Sequence, residues 1–219
     1  MGATASSSTS WRISASSSTS DPRPRLAARV LGWIRLTHPF PSVLDGTISG
    51  VVAILAGGPP GLAVRAGLAM TLLQFGIGTV NDVVDAPRDA GRKAGKPIPA
   101  GLVPIRAART LAVGCFVAGV AVASTTAVPA GPLAVVVIAI GLAYDLRLKG
   151  TAWSWLPFAA GIPLLPVFGW VSVGAALPAA FVVLIPAAVA AGAALAIANA
   201  LVDVERDRAG ASALGAAWL

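Results

Sequence analysis

The sequence predicts an all-α fold, a polytopic bundle of transmembrane helices, and three observations predict it. Hydrophobic residues make up 56% of the 219 residues and charged residues only 11%, against about 25% charged in an ordinary soluble domain. Residues 110–143 and 150–202 contain no charged side chain, and each run exceeds the roughly 20 helical residues that cross a hydrocarbon core of about 30 Å. The basic residues stand at the ends of apolar runs instead of forming one patch, as in membrane proteins that hold Lys and Arg on one side.

Taken in order, residues 1–22 are rich in Ser, Thr and Ala. They read as a disordered tail and lack the apolar stretch of a secretory signal. Residues 23–40 form an interfacial amphipathic segment, with Arg23, Arg25, Arg29 and Arg35 set among Leu, Val, Trp33 and Ile34. Residues 41–210 form the transmembrane domain, with spans near 41–57, 62–84, 107–125, 129–145, 153–172 and 178–202. Gly57-Gly58-Pro59-Pro60-Gly61, the stretch from Pro129 to Pro132, and Ser172 to Gly174 break the runs. Pro163, Pro166 and Pro186 fall inside spans, where a bundle tolerates kinks. Residues 211–219 turn apolar again and end too soon to span, as the truncated start of a further segment.

The formal charge of +7 does not point to nucleic acid, because the charge is not gathered in one place. With the N-terminal tail in the cytoplasm, the loops after the second, fourth and sixth spans also face it. Those loops hold Arg88, Arg92, Lys93, Lys96, Arg106, Arg109, Arg147, Lys149, Arg206 and Arg208. Arg65 is the exception on the opposite side. This positive-inside bias places the chain in the cytoplasmic (inner) membrane with that face inward. The single cysteine, Cys115, excludes an internal disulfide and reads as a packing residue. The single histidine, His38, excludes a multi-histidine metal site and reads as an interfacial residue.

The chain has nine acidic residues. Asp82, Asp85 and Asp89 close the second span, Asp145 the fourth, and Asp203, Glu205 and Asp207 the sixth. Asn81, Asp85 and Asp89 are four apart, which places them on one helix face, although Pro87 is expected to end or distort that helix. Asn199, Asp203 and Asp207 repeat the spacing, and Arg88-Asp89-Ala90-Gly91 parallels Arg206-Asp207-Arg208-Ala209-Gly210. Converging carboxylates in a poor solvent need cations to stay ionised. Short oxygen-bearing side chains suit Mg²⁺, which is completed by water and phosphates. The neighbouring Arg92, Lys93, Lys96, Arg147 and Lys149 suit a phosphate group. A cation transporter would place its carboxylates near the middle of the spans instead.

These stretches carry a resemblance. Asn81-Asp82-Val83-Val84-Asp85-Ala86-Pro87-Arg88-Asp89 resembles the first Asp-rich motif of the UbiA superfamily of intramembrane prenyltransferases. Lys96-Pro97-Ile98-Pro99-Ala100-Gly101 resembles its basic-Pro-hydrophobic loop, the stretch from Tyr144 to Lys149 its Tyr/Lys loop, and Asp203-Val204-Glu205-Arg206-Asp207 its second motif. The set covers residues from about 35 to 210 in the family's order. The resemblance implies a bundle of about nine helices, of which about six are present, so that the chain is expected to be C-terminally truncated. It also implies Mg²⁺-dependent prenyl transfer from a polyprenyl diphosphate to a lipophilic, aromatic acceptor of the quinone-precursor type. Transfer to a non-aromatic acceptor, terpene cyclisation and an inactive diphosphate-binding protein are the alternatives. Asn81, Asp85, Asp89, Asp203 and Asp207 would hold Mg²⁺. Asn199 is an addition to that set, and Arg92, Lys96 and Lys149 would neutralise diphosphate oxygens. Tyr144 would shield the allylic cation. Asp45, one turn into the first span, is a candidate acceptor-site residue.

Overall fold

The computed structural model describes residues 26–91 and 95–216, with side chains through residue 202. Among the described residues the chain is all helix: α1 (Leu26–Leu36), α2 (Pro39–Leu55), α3 (Pro60–Asp89), α4 (Ile105–Ser124), α5 (Ala130–Ala143), α6 (Leu156–Val171) and α7 (Phe181–Ala216). A π-helical turn, Tyr144–Leu148, extends α5. The expected tail at 1–22 lies outside the described residues. Residues 211–216 continue α7, and 217–219 lie outside the description.

Among the described residues, four helical stretches are long and apolar enough to cross a membrane: Pro60–Asp89, Ile105–Ser124, Ala130–Leu148 and Phe181–Val202. The spans expected at 41–57 and 153–172 fall below the length of those four: α2 keeps the expected 17 residues, shifted to Pro39–Leu55, and α6 has 16. At 1.5 Å per residue they reach only about 24–26 Å. Local chemistry sets these limits. In α2, Pro39 takes the first helical position, where its missing N–H costs nothing. Gly57, at φ 84°, ends the helix in the left-handed region. The N–H groups of Gly57 and Gly58 donate back to the carbonyls of Ile54 and Ala53, closing a Schellman cap.

Pro87 neither ends α3 nor displaces Asp89 into a loop, contrary to expectation; the helix runs through to Asp89. Pro87 sits on the exposed side near the helix end, so the lost hydrogen bond falls where few remain to be lost.

The interior is built from small residues and the exterior from large ones. Ala53, Ala66, Ala69, Ala123, Ala130 and Ala134 are fully buried around Met70, Leu73 and Phe168. Val64, Val113, Val117, Val135, Val182 and Val183 face outward. Lipid tails solvate such an exterior, and helix association then depends on close backbone approach. A Cβ on Gly46 would meet the Gly67 carbonyl at 2.5 Å, one on Gly169 the Ser49 carbonyl at 2.3 Å, and one on Gly192 the Phe158 carbonyl at 2.3 Å. Glycine therefore sets the spacing of α2 on α3, α6 on α2, and α7 on α6.

A smaller cluster of Leu36, Val103 and Ala108, backed by Trp33, Ile98 and Leu102, seats α1 against the α3–α4 loop. Arg65, the exception to the charge bias, has a structural task. Its Nη1 donates to the Thr125 carbonyl at 3.0 Å, satisfying the end of α4.

Candidate active site

The polar end of the bundle is organised by the last turns of α3. Because the helix continues unbroken, Asn81, Asp85 and Asp89 lie along one stripe. Asp82, Asp85 and Asp89 are 3%, 7% and 5% exposed, and Asp145 at the end of α5 is 5% exposed. Carboxylates buried this deeply require counter-charges or donors, and three other segments supply them.

The first is the π turn. The Lys149 N–H donates to the Tyr144 carbonyl at 2.9 Å, an i→i+5 bond that accommodates one extra residue. The turn aims Asp145 inward, and Asn81 Nδ2 donates to Asp145 Oδ1 at 2.7 Å. It also brings Lys149 Nζ to 2.5 Å from Asp85 Oδ2. The Tyr144 ring meets Phe158 edge-on, with centroids 5.2 Å apart, and Lys149 Nζ lies 5.8 Å from the Tyr144 ring centre, within cation–π range.

The second segment is the α3–α4 loop. Gly95 and Gly101 take positive φ, and Leu102 N–H donates to the Pro97 carbonyl, folding the loop into a compact turn. Buried Pro97 and Val103 pin it beneath α1. Lys96 thereby places Nζ 2.5 Å from Asp82 Oδ1 and 4.0 Å from Asp89 Oδ2.

The third is the joint between α1 and α2. His38 adopts a left-handed backbone, φ 49°, unusual for a residue with a Cβ. Its ring packs over Gly78 of α3, and Nε2 lies 3.0 Å from Asp82 Oδ1.

The structure thus gathers Asn81, Asp85, Asp89, Lys96, Tyr144 and Lys149 at one end of the bundle. Asp45 is half-buried on α2, and among the described residues no hydrogen bond or ion pair reaches its side chain. Asn199 is exposed on α7, which packs chiefly on α6. Arg92 lies outside the described residues, as do the side chains of Asp203 and Asp207.

Sequence reasoning missed three contributors. Asp82 is off the four-residue repeat, Asp145 was seen only as the end of a span, and His38 was read as interfacial. The adjacency of Asp82 to Asn81 and of Asp145 to Tyr144 was the only local signal.

Among the described residues no three Asp, Glu, His or Cys side chains converge as a metal-holding group. Lys96 and Lys149 take that place beside the carboxylates. The donor set itself, the Asn81 amide with the buried carboxylates of Asp85 and Asp89 along one stripe, fits a hard divalent cation. Basic side chains alongside such a cation suit phosphate oxygens.

The sequence profile of the UbiA prenyltransferase family matches residues 45–213. The digeranylgeranylglyceryl phosphate synthase of Methanoculleus marisnigri is 32% identical over 125 residues, 56% of this chain and 44% of that one. That of Methanopyrus kandleri is 36% identical over 89 residues, 41% of this chain and 33% of that one. The chain therefore spans less than half the length of these relatives. A UbiA homolog from Archaeoglobus fulgidus, bound to GPP and Mg²⁺, superposes with a TM-score of 0.69 at 20% identity, over 81% of this chain and 65% of that one. With DMAPP and Mg²⁺ bound, the homolog gives a TM-score of 0.67 at 22% identity, over 80% of this chain and 65% of that one. At that identity the likeness is one of fold.

Proposed function

Because the chain belongs to the UbiA prenyltransferase family, we propose that it is an integral-membrane, Mg²⁺-dependent prenyltransferase acting on a prenyl diphosphate and a lipophilic acceptor. The observation that carries this reading is the stripe of Asn81, Asp85 and Asp89 faced by Lys96 and Lys149 at one end of an apolar bundle. The homolog of similar fold binds GPP or DMAPP with Mg²⁺, which supports the same ligand class here.

Asn81, Asp85 and Asp89, with Asp203 and Asp207, would hold Mg²⁺. When bound, Mg²⁺ neutralises diphosphate oxygens and stabilises the leaving group. Lys96, Lys149 and Arg92 would bind the remaining oxygens. This electrostatic stabilisation is what lets an allylic carbon–oxygen bond ionise. Tyr144, held by Phe158, offers a ring face to the allylic cation. The prenyl tail would lie between the apolar helices, and Asp45 is a candidate acceptor-site residue. The positive-inside bias puts this end of the bundle at the cytoplasmic face.

The acceptor distinguishes two readings. The family-level expectation was an aromatic quinone precursor. The name shared by the two synthases describes a glyceryl phosphate carrying prenyl groups, which favours the non-aromatic alternative, a glyceryl phosphate lipid. Membranes containing the chain are incubated with labelled geranyl, farnesyl and longer diphosphates, Mg²⁺, and both acceptor classes. Prenylated glyceryl phosphate is expected, and it disappears with Asp85→Ala. Product that survives Asp85→Ala sinks the site assignment.

A further inference from the structure

The π turn meets α3 in register. Asp145 reaches Asn81, and Lys149, four residues on, reaches Asp85, four residues after Asn81; both pairs are separated by 64 positions. The turn therefore delivers two groups to successive positions of the stripe. One of them, Lys149, is a cation with an evident use beside phosphate. The other is a carboxylate, 5% exposed, with Oδ2 lacking any hydrogen-bond partner among the described residues. A second buried negative charge next to an acidic stripe is costly, and stability alone does not account for it.

The chemistry of the contact gives it a purpose. The side-chain amide of Asn81 has a donating end, Nδ2, and an accepting end, Oδ1. An ionised carboxylate only accepts. Facing Asp145, the amide must present Nδ2, so the assignment of nitrogen and oxygen follows from the partner. With Nδ2 held at 2.7 Å, Oδ1 is the end left for a cation. A neighbour that fixes the orientation of a ligating side chain commonly sets metal affinity as strongly as the ligand does. We propose that Asp145 is a positioning residue: it locks the Asn81 amide so that its oxygen, and not its NH₂, faces the Mg²⁺–diphosphate. This inference rests on the function proposed above.

The test is a double-mutant cycle on the full chain in detergent, with Mn²⁺ as the probe and its dissociation constant read by electron paramagnetic resonance, with and without geranyl diphosphate. Asp145→Ala is expected to weaken Mn²⁺ binding by about 10–100-fold. In the Asn81→Ala background it is expected to have no further effect, because the residue it positions is gone. Asp145→Asn keeps shape and volume and guards against misfolding. It loses the enforced orientation, since an amide partner accepts either end, and a loss of at least about threefold is expected. Independent effects of the two alanine substitutions, or unchanged Mn²⁺ affinity in both Asp145 variants, overturn the inference. The first outcome makes Asp145 a ligand in its own right; the second makes it idle. Failure of the unaltered chain to bind Mn²⁺ at all overturns the proposed function with it.

Discussion

Lys149→Met should make the site bind a divalent cation more tightly while making it a poorer catalyst. Lys149 Nζ lies 2.5 Å from Asp85 Oδ2, with the side chains 27% and 10% exposed. A cation reaching Asp85 competes with that ammonium. At the 2.5 Å separation, unit charges attract by about 1.7 kcal/mol in bulk water and by about 6.6 kcal/mol at an effective dielectric constant of about 20. A pair this exposed lies between the two limits. Even the lower limit corresponds to more than a factor of about ten in an equilibrium constant. Methionine keeps most of the length and the apolar stem of lysine, so packing against Tyr144 changes little. The assay is Mn²⁺ titration of the chain in detergent without diphosphate, which isolates the competition from any phosphate contact. An affinity at least about tenfold higher is expected for Lys149→Met, together with a fall in prenyl transfer when diphosphate and acceptor are supplied. An unchanged or weaker Mn²⁺ affinity refutes the idea that Lys149 is a displaceable counter-ion of the stripe.

Asp82→Asn should loosen the α3–α4 loop, because Asp82 Oδ1 faces both Lys96 and His38. Losing charge-assisted bonds of about 1.5–3 kcal/mol is expected to speed hydrogen exchange at residues 100–103 by about tenfold or more, and unchanged exchange by mass spectrometry counts against the anchor. Gly169→Ala should destabilise the bundle by about 1–3 kcal/mol, since its Cβ would meet the Ser49 carbonyl at 2.3 Å. Gly114→Ala, with nothing within 4 Å, should be neutral or stabilising by up to about 1 kcal/mol. Thermal unfolding in detergent that fails to separate these two glycines would contradict the packing.

Hydropathy and spacing carried the fold far because both are local. Each apolar run became a helix near its expected place, and the Gly57-Gly58 break became the cap of α2. Asn81, Asp85 and Asp89 were legible as one face because a helix converts a four-residue spacing directly into adjacency. The length of α6 was less legible, since flanking turns trim the expected 153–172 to Leu156–Val171 while composition leaves the run intact. Pro87 misled because a proline's effect depends on how many hydrogen bonds remain after it. Asp82, Asp145 and His38 were hidden for a different reason. Their roles depend on where α1, the α3–α4 loop and the π turn meet α3, and residues 44 or 64 positions apart carry no mutual signal in a single sequence.

The π turn also has a consequence for heredity. Its extra residue is a matter of chain length, not of side-chain identity. Deleting one residue between Tyr144 and Leu148 would restore an ordinary helix, rotate everything beyond by about 100° and draw it back by about 1.5 Å. Asp145 would stay opposite Asn81 if the deletion fell after it, while Lys149 would leave Asp85. Substitutions among Leu146, Arg147 and Leu148 leave that geometry in place. In descendants of this chain, the number of residues between the positions of Asp145 and Lys149 should therefore resist change more strongly than the residues themselves.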